Sequence, residues 1–91
     1  MPYRVEISPA AGRELRRLLL PVRDRLEPVI MALAEEPRPQ GVRKLQGGER
    51  AYRIRVGDYR VVYEVYDNEN LVVILRVGRR TESTYRRVQR D

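Results

Sequence analysis

The chain has 91 residues with no cysteine and no histidine, which excludes disulfides, thiolate metal sites, thiol nucleophiles and histidine-dependent catalysis. Nineteen basic against 13 acidic side chains leave a formal charge of +6. The longest uncharged run, residues 28–34, is far short of the roughly 20 residues that cross a bilayer, so the sequence predicts one soluble, cytoplasmic domain over residues 1–91 with no membrane partner.

Residues 3–7 alternate as a short strand does. Ser8 is placed to cap a helix whose first position is Pro9, where proline's missing N–H is unpaired in any case. Ala11, Leu15, Leu18 and Leu19 recur at helical spacing behind it. Pro21 opens a second helix in the same way, with Val22, Leu26, Val29, Ile30 and Leu33 as its apolar stripe, Pro28 predicted to kink it and Pro37 to stop it. The two stripes predict an antiparallel helix hairpin covering an apolar surface, with no chemistry of its own.

Arg38 to Arg50, with Pro39, Gly41, Gly47 and Gly48, reads as a connecting loop bearing four basic residues. Ala51 to Val56, Tyr59 to Tyr66 and Leu71 to Val77 then read as a three-stranded meander, broken by Gly57-Asp58 and by residues 67–70. Residues 82–90 are polar and fit a short helix or tail. The predicted class is α+β in the order β-α-α-β-β-β, a helix hairpin packed on a small, mainly antiparallel sheet.

Charge is unevenly spread along this order. Residues 1–37 are neutral, residues 38–60 carry +5, residues 61–75 carry −3 and residues 76–91 carry +4. A positive surface confined to part of a small domain suits a polyanionic partner such as nucleic acid, although a solvated face reads the same way by charge alone. The two-residue loop at Gly57-Asp58 fixes a register that resolves the matter further. With Val56 opposite Tyr59, one face receives Tyr52, Ile54, Val56, Tyr59, Val61 and Tyr63, and should lie beneath the helices. Arg53, Arg55 and Arg60 share the other face, expected to be open, with only Asp58 and Glu64 near enough to offset them.

The run from Tyr52 to Tyr63, Tyr-Arg-Ile-Arg-Val-Gly-Asp-Tyr-Arg-Val-Val-Tyr, resembles the RelE/ParE toxin superfamily of toxin–antitoxin systems, as do Lys44-Leu45 before it and Val72 to Arg80 and Tyr85-Arg86 after it. The resemblance covers nearly the whole chain. It implies a toxin that cuts mRNA in the ribosomal A site, without metal or cofactor, and that is held in a hetero-oligomer by a cognate antitoxin. By the same resemblance Arg60, Arg80 and Tyr85 are the catalytic set, and Lys44, Arg53, Arg55, Arg79 and Arg86 bind RNA or ribosome. Two departures stand out: arginines replace the lysines often found at 53 and 55, and Arg79 stands where many relatives have His or Lys. A non-enzymatic inhibitor of DNA gyrase is the alternative within the same superfamily.

The residue types suit the implied reaction. Attack of a 2′-OH on its neighbouring phosphate needs a base, positive charge for the phosphorane and help for the departing 5′-oxygen. Arginine supplies the charge through a planar fork matched to two phosphate oxygens. Tyr85 qualifies as a base if adjacent guanidinium groups favour its phenolate.

Overall fold

A computed structural model describes residues 2–79. Its elements are β1 (Arg4–Ile7), α1 (Pro9–Arg17), α2 (Leu20–Ala32), β2 (Arg43–Lys44), β3 (Ala51–Val56), β4 (Tyr59–Tyr66), a 3₁₀ turn (Asp67–Glu69) and β5 (Leu71–Arg79). The strands form one sheet in the order β1-β5-β4-β3-β2, antiparallel throughout except where β1 runs parallel to β5. Tail residues 82–90 lie outside the described residues.

Ser8 caps α1 as its position predicts. Its Oγ accepts from the Ala11 N–H at 3.1 Å and donates to the Leu75 carbonyl at 3.1 Å, so the cap also ties the helix start to β5. The carbonyls at the end of α1 are served by Arg23 of α2, whose guanidinium donates to Leu15 at 3.2 Å and Arg16 at 3.1 Å. That bond closes the helix hairpin. Leu19 departs from the predicted stripe: it becomes the residue preceding α2 and is 76% exposed.

α2 runs unbroken through Pro28. Pro28 and Asp24, whose carbonyl loses its donor to the proline ring, are both exposed residues, a setting in which water can replace the lost bond. The helix ends at Ala32, well before Pro37. Pro37 has a different task, because it is buried and its carbonyl accepts the Tyr63 hydroxyl at 2.8 Å. Burial holds the Tyr63 phenol well above its ordinary pKa, in its donating form.

The helices cover one sheet face. Ala11, Leu15, Leu26, Ile30 and Leu33 pack on Val61, Tyr63, Val65, Val72, Ile74 and Val77, and the partly buried Tyr52, Ile54, Val56 and Tyr59 adjoin them as the register predicts. Ile74 and Val77 are three residues apart, an odd spacing that strict alternation would put on opposite faces. The register shift between Val62 and Tyr63, where β5 carries one extra residue, lets both face the helices. Glu14 of α1 meets this part of β5: its carboxylate accepts Arg76 at 2.7 Å and the Val77 N–H at 2.7 Å.

Two boundaries are corrected. β5 extends to Arg79 rather than ending at Val77, and the connection from Arg38 to Arg50 contains β2, paired with β3 through Arg43 opposite Arg53 and Lys44 opposite Tyr52. Two residues are too few to carry an alternation. The beginning of that connection is fixed by Arg38, which donates to both Asp67 oxygens at 3.1 and 2.8 Å and to the Tyr52 hydroxyl at 2.9 Å, while the Tyr3 hydroxyl donates to Asp67 at 2.6 Å.

These bonds, from Arg38 first and then Tyr3, hold the Asp67 carboxyl below its ordinary pKa of 3.8. A lowered folded pKa gives stability that is complete above the ordinary value and is lost as pH falls through the folded one. The difference in melting temperature between the wild type and Asp67→Asn should therefore be constant from about pH 5 to 7 and close below about pH 4. Melting curves of both proteins at low salt across that range test it, and a gap that persists in acid shows that the carboxylate charge is not what matters.

Candidate functional site

The second sheet face owes its character to the β3–β4 turn. Gly57 adopts φ 59°, the left-handed value needed at the first position of a tight hairpin turn, and the resulting pairs are those predicted, Arg55 opposite Arg60 and Tyr52 opposite Tyr63. A Cβ at Gly57 would also collide with the Arg25 guanidinium of α2, which lies over the turn. Alternation from this register gathers Arg53, Arg55 and Arg60 on the face away from the helices. Arg43 joins them from β2, directly opposite Arg53. Sequence reading missed it; the signal was only the parity of Arg43 and Leu45 on either side of Lys44.

The face is less open than the sequence suggests. Arg55 and Arg43 are exposed, but Arg53 is 9% exposed and Arg60 7%, which corrects the expectation that Arg60 is a surface residue. A small apolar cluster on the same face, Leu45, Ala51 and Val62 with Leu75 against it, accounts for part of this. Gly78 stands opposite Arg60 on β5 and has no side chain to compete for space. Glu64 lies on this face too, but its carboxylate accepts the Tyr66 hydroxyl at 2.7 Å.

The other candidates separate. Arg79 pairs with Tyr59, so it has the parity of the helix-covered face, and its guanidinium lies over the Tyr59 ring at 5.8 Å. Those two residues border a cleft of about 230 Å³ against Glu14, Arg17 and Leu18 of the first helix and its cap. Lys44 is exposed and shares the parity of Tyr52, not that of Arg53. Arg80, Tyr85 and Arg86 lie outside the described residues. Of the sequence candidates, the structure thus brings together Arg53, Arg55 and Arg60, and it sets Lys44 and Arg79 apart from them.

Arginines paired directly across strands repel by about 0.2–1 kcal/mol per pair. An anion laid across the face relieves that repulsion, and a phosphate does so with geometry, because each guanidinium can hold two of its oxygens. Among the described residues no three acidic side chains come together as a metal site would require. The chemistry available on this face is the binding of phosphate and the stabilisation of added negative charge.

Comparison with known proteins agrees with this architecture. A family profile described as the ParE toxin of type II toxin–antitoxin system, parDE, matches residues 5–84. The chain is 33% identical over 85 residues to the mRNA interferase toxin RelE of Escherichia coli K12, covering 91% of this chain and 88% of that protein. It is similar in structure to the archaeal RelE–RelB complex from Pyrococcus horikoshii, with TM-score 0.79, 33% identity and coverage of 90% and 99%, and to the intact E. coli RelBE complex, with TM-score 0.77, 30% identity and coverage of 88% and 99%.

The burial difference between the two opposed arginines is directly measurable. Arg55→Ala should change stability by no more than about 0.5 kcal/mol, as exposed positions do, whereas Arg60→Ala should cost about 1–3 kcal/mol by vacating packed space beside Gly78. Chemical denaturation of both variants checks this. An Arg60→Ala protein as stable as the wild type would mean that relief of like-charge repulsion outweighs the lost packing.

Proposed function

The chain belongs to the RelE/ParE toxin superfamily, and from that membership we propose that residues 1–91 act as the toxin of a type II toxin–antitoxin module, an endoribonuclease that cuts mRNA in the ribosomal A site. The observation that carries the reading is the arginine group on the sheet face away from the helices, with Arg55 opposite Arg60. Similarity to a relative named mRNA interferase supports RNA as the substrate. Similarity to toxins solved with RelB supports a cognate antitoxin held in a hetero-oligomer. The site of action is the cytoplasm, where ribosomes are; among the described residues no helix is long and apolar enough to cross a membrane.

In this mechanism Arg60, with Arg53 and Arg55, holds the non-bridging oxygens of the scissile phosphate. The 2′-oxygen attacks phosphorus and its proton passes to the Tyr85 phenolate. The bond to the 5′-oxygen breaks, leaving a 2′,3′-cyclic phosphate on one fragment and, once the departing oxygen takes a proton from water, a 5′-hydroxyl on the other. Arg80 stabilises the departing oxygen by charge, since a guanidinium surrenders a proton only reluctantly. Arg79 and Arg86 contact RNA or ribosome beside it, and Lys44 contacts the ribosome from the other parity. The reaction needs no metal or cofactor, because guanidinium groups supply the positive charge.

The ParE name of the family profile favours a second reading, inhibition of DNA gyrase without RNA cleavage. Brief induction in cells followed by primer extension on an abundant transcript decides between them. Cuts that vanish when translation of that transcript is blocked support the ribosome-dependent nuclease; intact transcripts with gyrase-linked DNA breaks overturn it. Tyr85→Phe should then slow single-turnover cleavage on programmed ribosomes by about 10²–10⁴-fold, the usual effect of losing a general base, while ribosome binding is kept. A phenylalanine variant within a few-fold of wild type removes Tyr85 from the catalytic set.

A further inference from the structure

At the opposite end of the strands from the Gly57 turn, the structure has a pocket of about 340 Å³ bounded by the start of β3, the end of β4 and the 3₁₀ turn. Two tyrosines line it, and each carries an arginine on its ring. The Arg50 guanidinium lies over Tyr66 at 5.3 Å and that of Arg38 over Tyr52 at 5.2 Å, with Lys44 at the rim. Neither ring is free to drift. Tyr66 donates to Glu64, and Tyr52 accepts from Arg38, which is itself held by both Asp67 oxygens. Glu49, Asp67 and Glu69 share the lining and the Arg50 guanidinium lies 3.8 Å from Glu49, so charge around the pocket is mixed. The rigid, half-buried ring planes are the feature a single-stranded nucleic acid uses to seat a base.

The Tyr66 side of the pocket is also in line with the arginine face. Arg60, Val62, Glu64 and Tyr66 alternate along β4 onto the same side, and the six steps from Arg60 to Tyr66 span roughly 20 Å. An RNA strand with a phosphate at Arg60 that follows β4 reaches Tyr66 after a few nucleotides. We propose that the Arg50–Tyr66 pair is a second RNA subsite, one that stacks the base of a nucleotide a few positions from the phosphate bound at Arg60. The proposal rests on the reading of the arginine face as an RNA site and extends it to how the strand is aligned. Stacking on a ring is indifferent to base identity, so the subsite sets register and affinity and leaves sequence choice to other contacts.

The test uses the full-length protein and a fluorescent single-stranded 2′-O-methyl oligoribonucleotide, which cannot be cut, long enough to span both sites and made with an abasic residue at each position in turn. For the wild type, removing the base at one position away from the Arg60 phosphate should weaken binding roughly 5- to 150-fold, the range for one stacked base. Tyr66→Phe keeps the ring and should behave as wild type. Tyr66→Leu keeps apolar volume without the ring plane, so it should bind the intact strand as weakly as wild type binds the abasic one and show no further abasic penalty. Arg50→Ala, at an exposed position, should weaken the same step. A wild type with no position-specific abasic penalty, or a Tyr66→Leu protein of native melting temperature that retains it, overturns the subsite. Cleavage on programmed ribosomes is measured separately: its absence alongside a position-specific stacking penalty counts against the ribosome-dependent reading and leaves the subsite standing.

Discussion

A two-residue turn sorts the side chains of this molecule. Because Gly57 takes a left-handed φ, the β3–β4 hairpin closes with a single register, and side chains of β3 and β4 are assigned by parity to one of two faces. Tyr52, Ile54, Val56, Tyr59, Val61 and Tyr63 go under the helices; Arg53, Arg55 and Arg60 go to the other side. A slip by one residue would bury guanidinium groups under α1 and α2 and expose Tyr63, one of the largest fully buried side chains in the core. The separation of stability from charge in this small sheet therefore depends on the turn more than on any one contact.

The faces are not independent. The extra residue on β5 that returns Val77 to the core sets Arg76 opposite Val62, at the parity of the arginine face, and Glu14 of α1 neutralises it. Arg76 would otherwise add to an already repulsive face. The acidic stretch from 61 to 75 is used in the same local manner, Glu64 by Tyr66 and Asp67 by Arg38. Both carboxylates are thus engaged close to home.

Much of this was legible in the sequence, and the exceptions have physical causes. The bounds of β3 and β4 follow from alternation interrupted by a strong turn signal, and the helix starts follow from Ser8 and from proline at the first turns. β2 was not legible because two residues carry no period, and with it Arg43 was missed. Pro28 and Pro37 show the limit of reading proline as punctuation: the first is tolerated where its lost partner is solvated, and the second is retained for a carbonyl that a buried tyrosine needs. Burial of Arg60 was not legible because it depends on neighbours from β5, Gly78 above all, and not on its own strand. The parity of Arg79, opposite Tyr59, was not legible for the same reason, since it depends on a bulge in β5 that no local pattern announces.

The parallel pairing of β1 with β5 constrains when this molecule can exist. β1 precedes both helices, yet among the described residues its strand partner is β5, with Arg4 beside Leu71 and Ile7 beside Ile74. The cap of α1 has the same dependence, because Ser8 donates to Leu75. A ribosome that has made both helices and the first hairpin still holds a chain whose opening strand has nothing to pair with, and such non-local closure is intrinsically slow. Assembly is thereby deferred until β5 is made. A transcript severed before the β5 codons yields no complete sheet, so a nuclease acting on translated messages would curtail production of its own folded form.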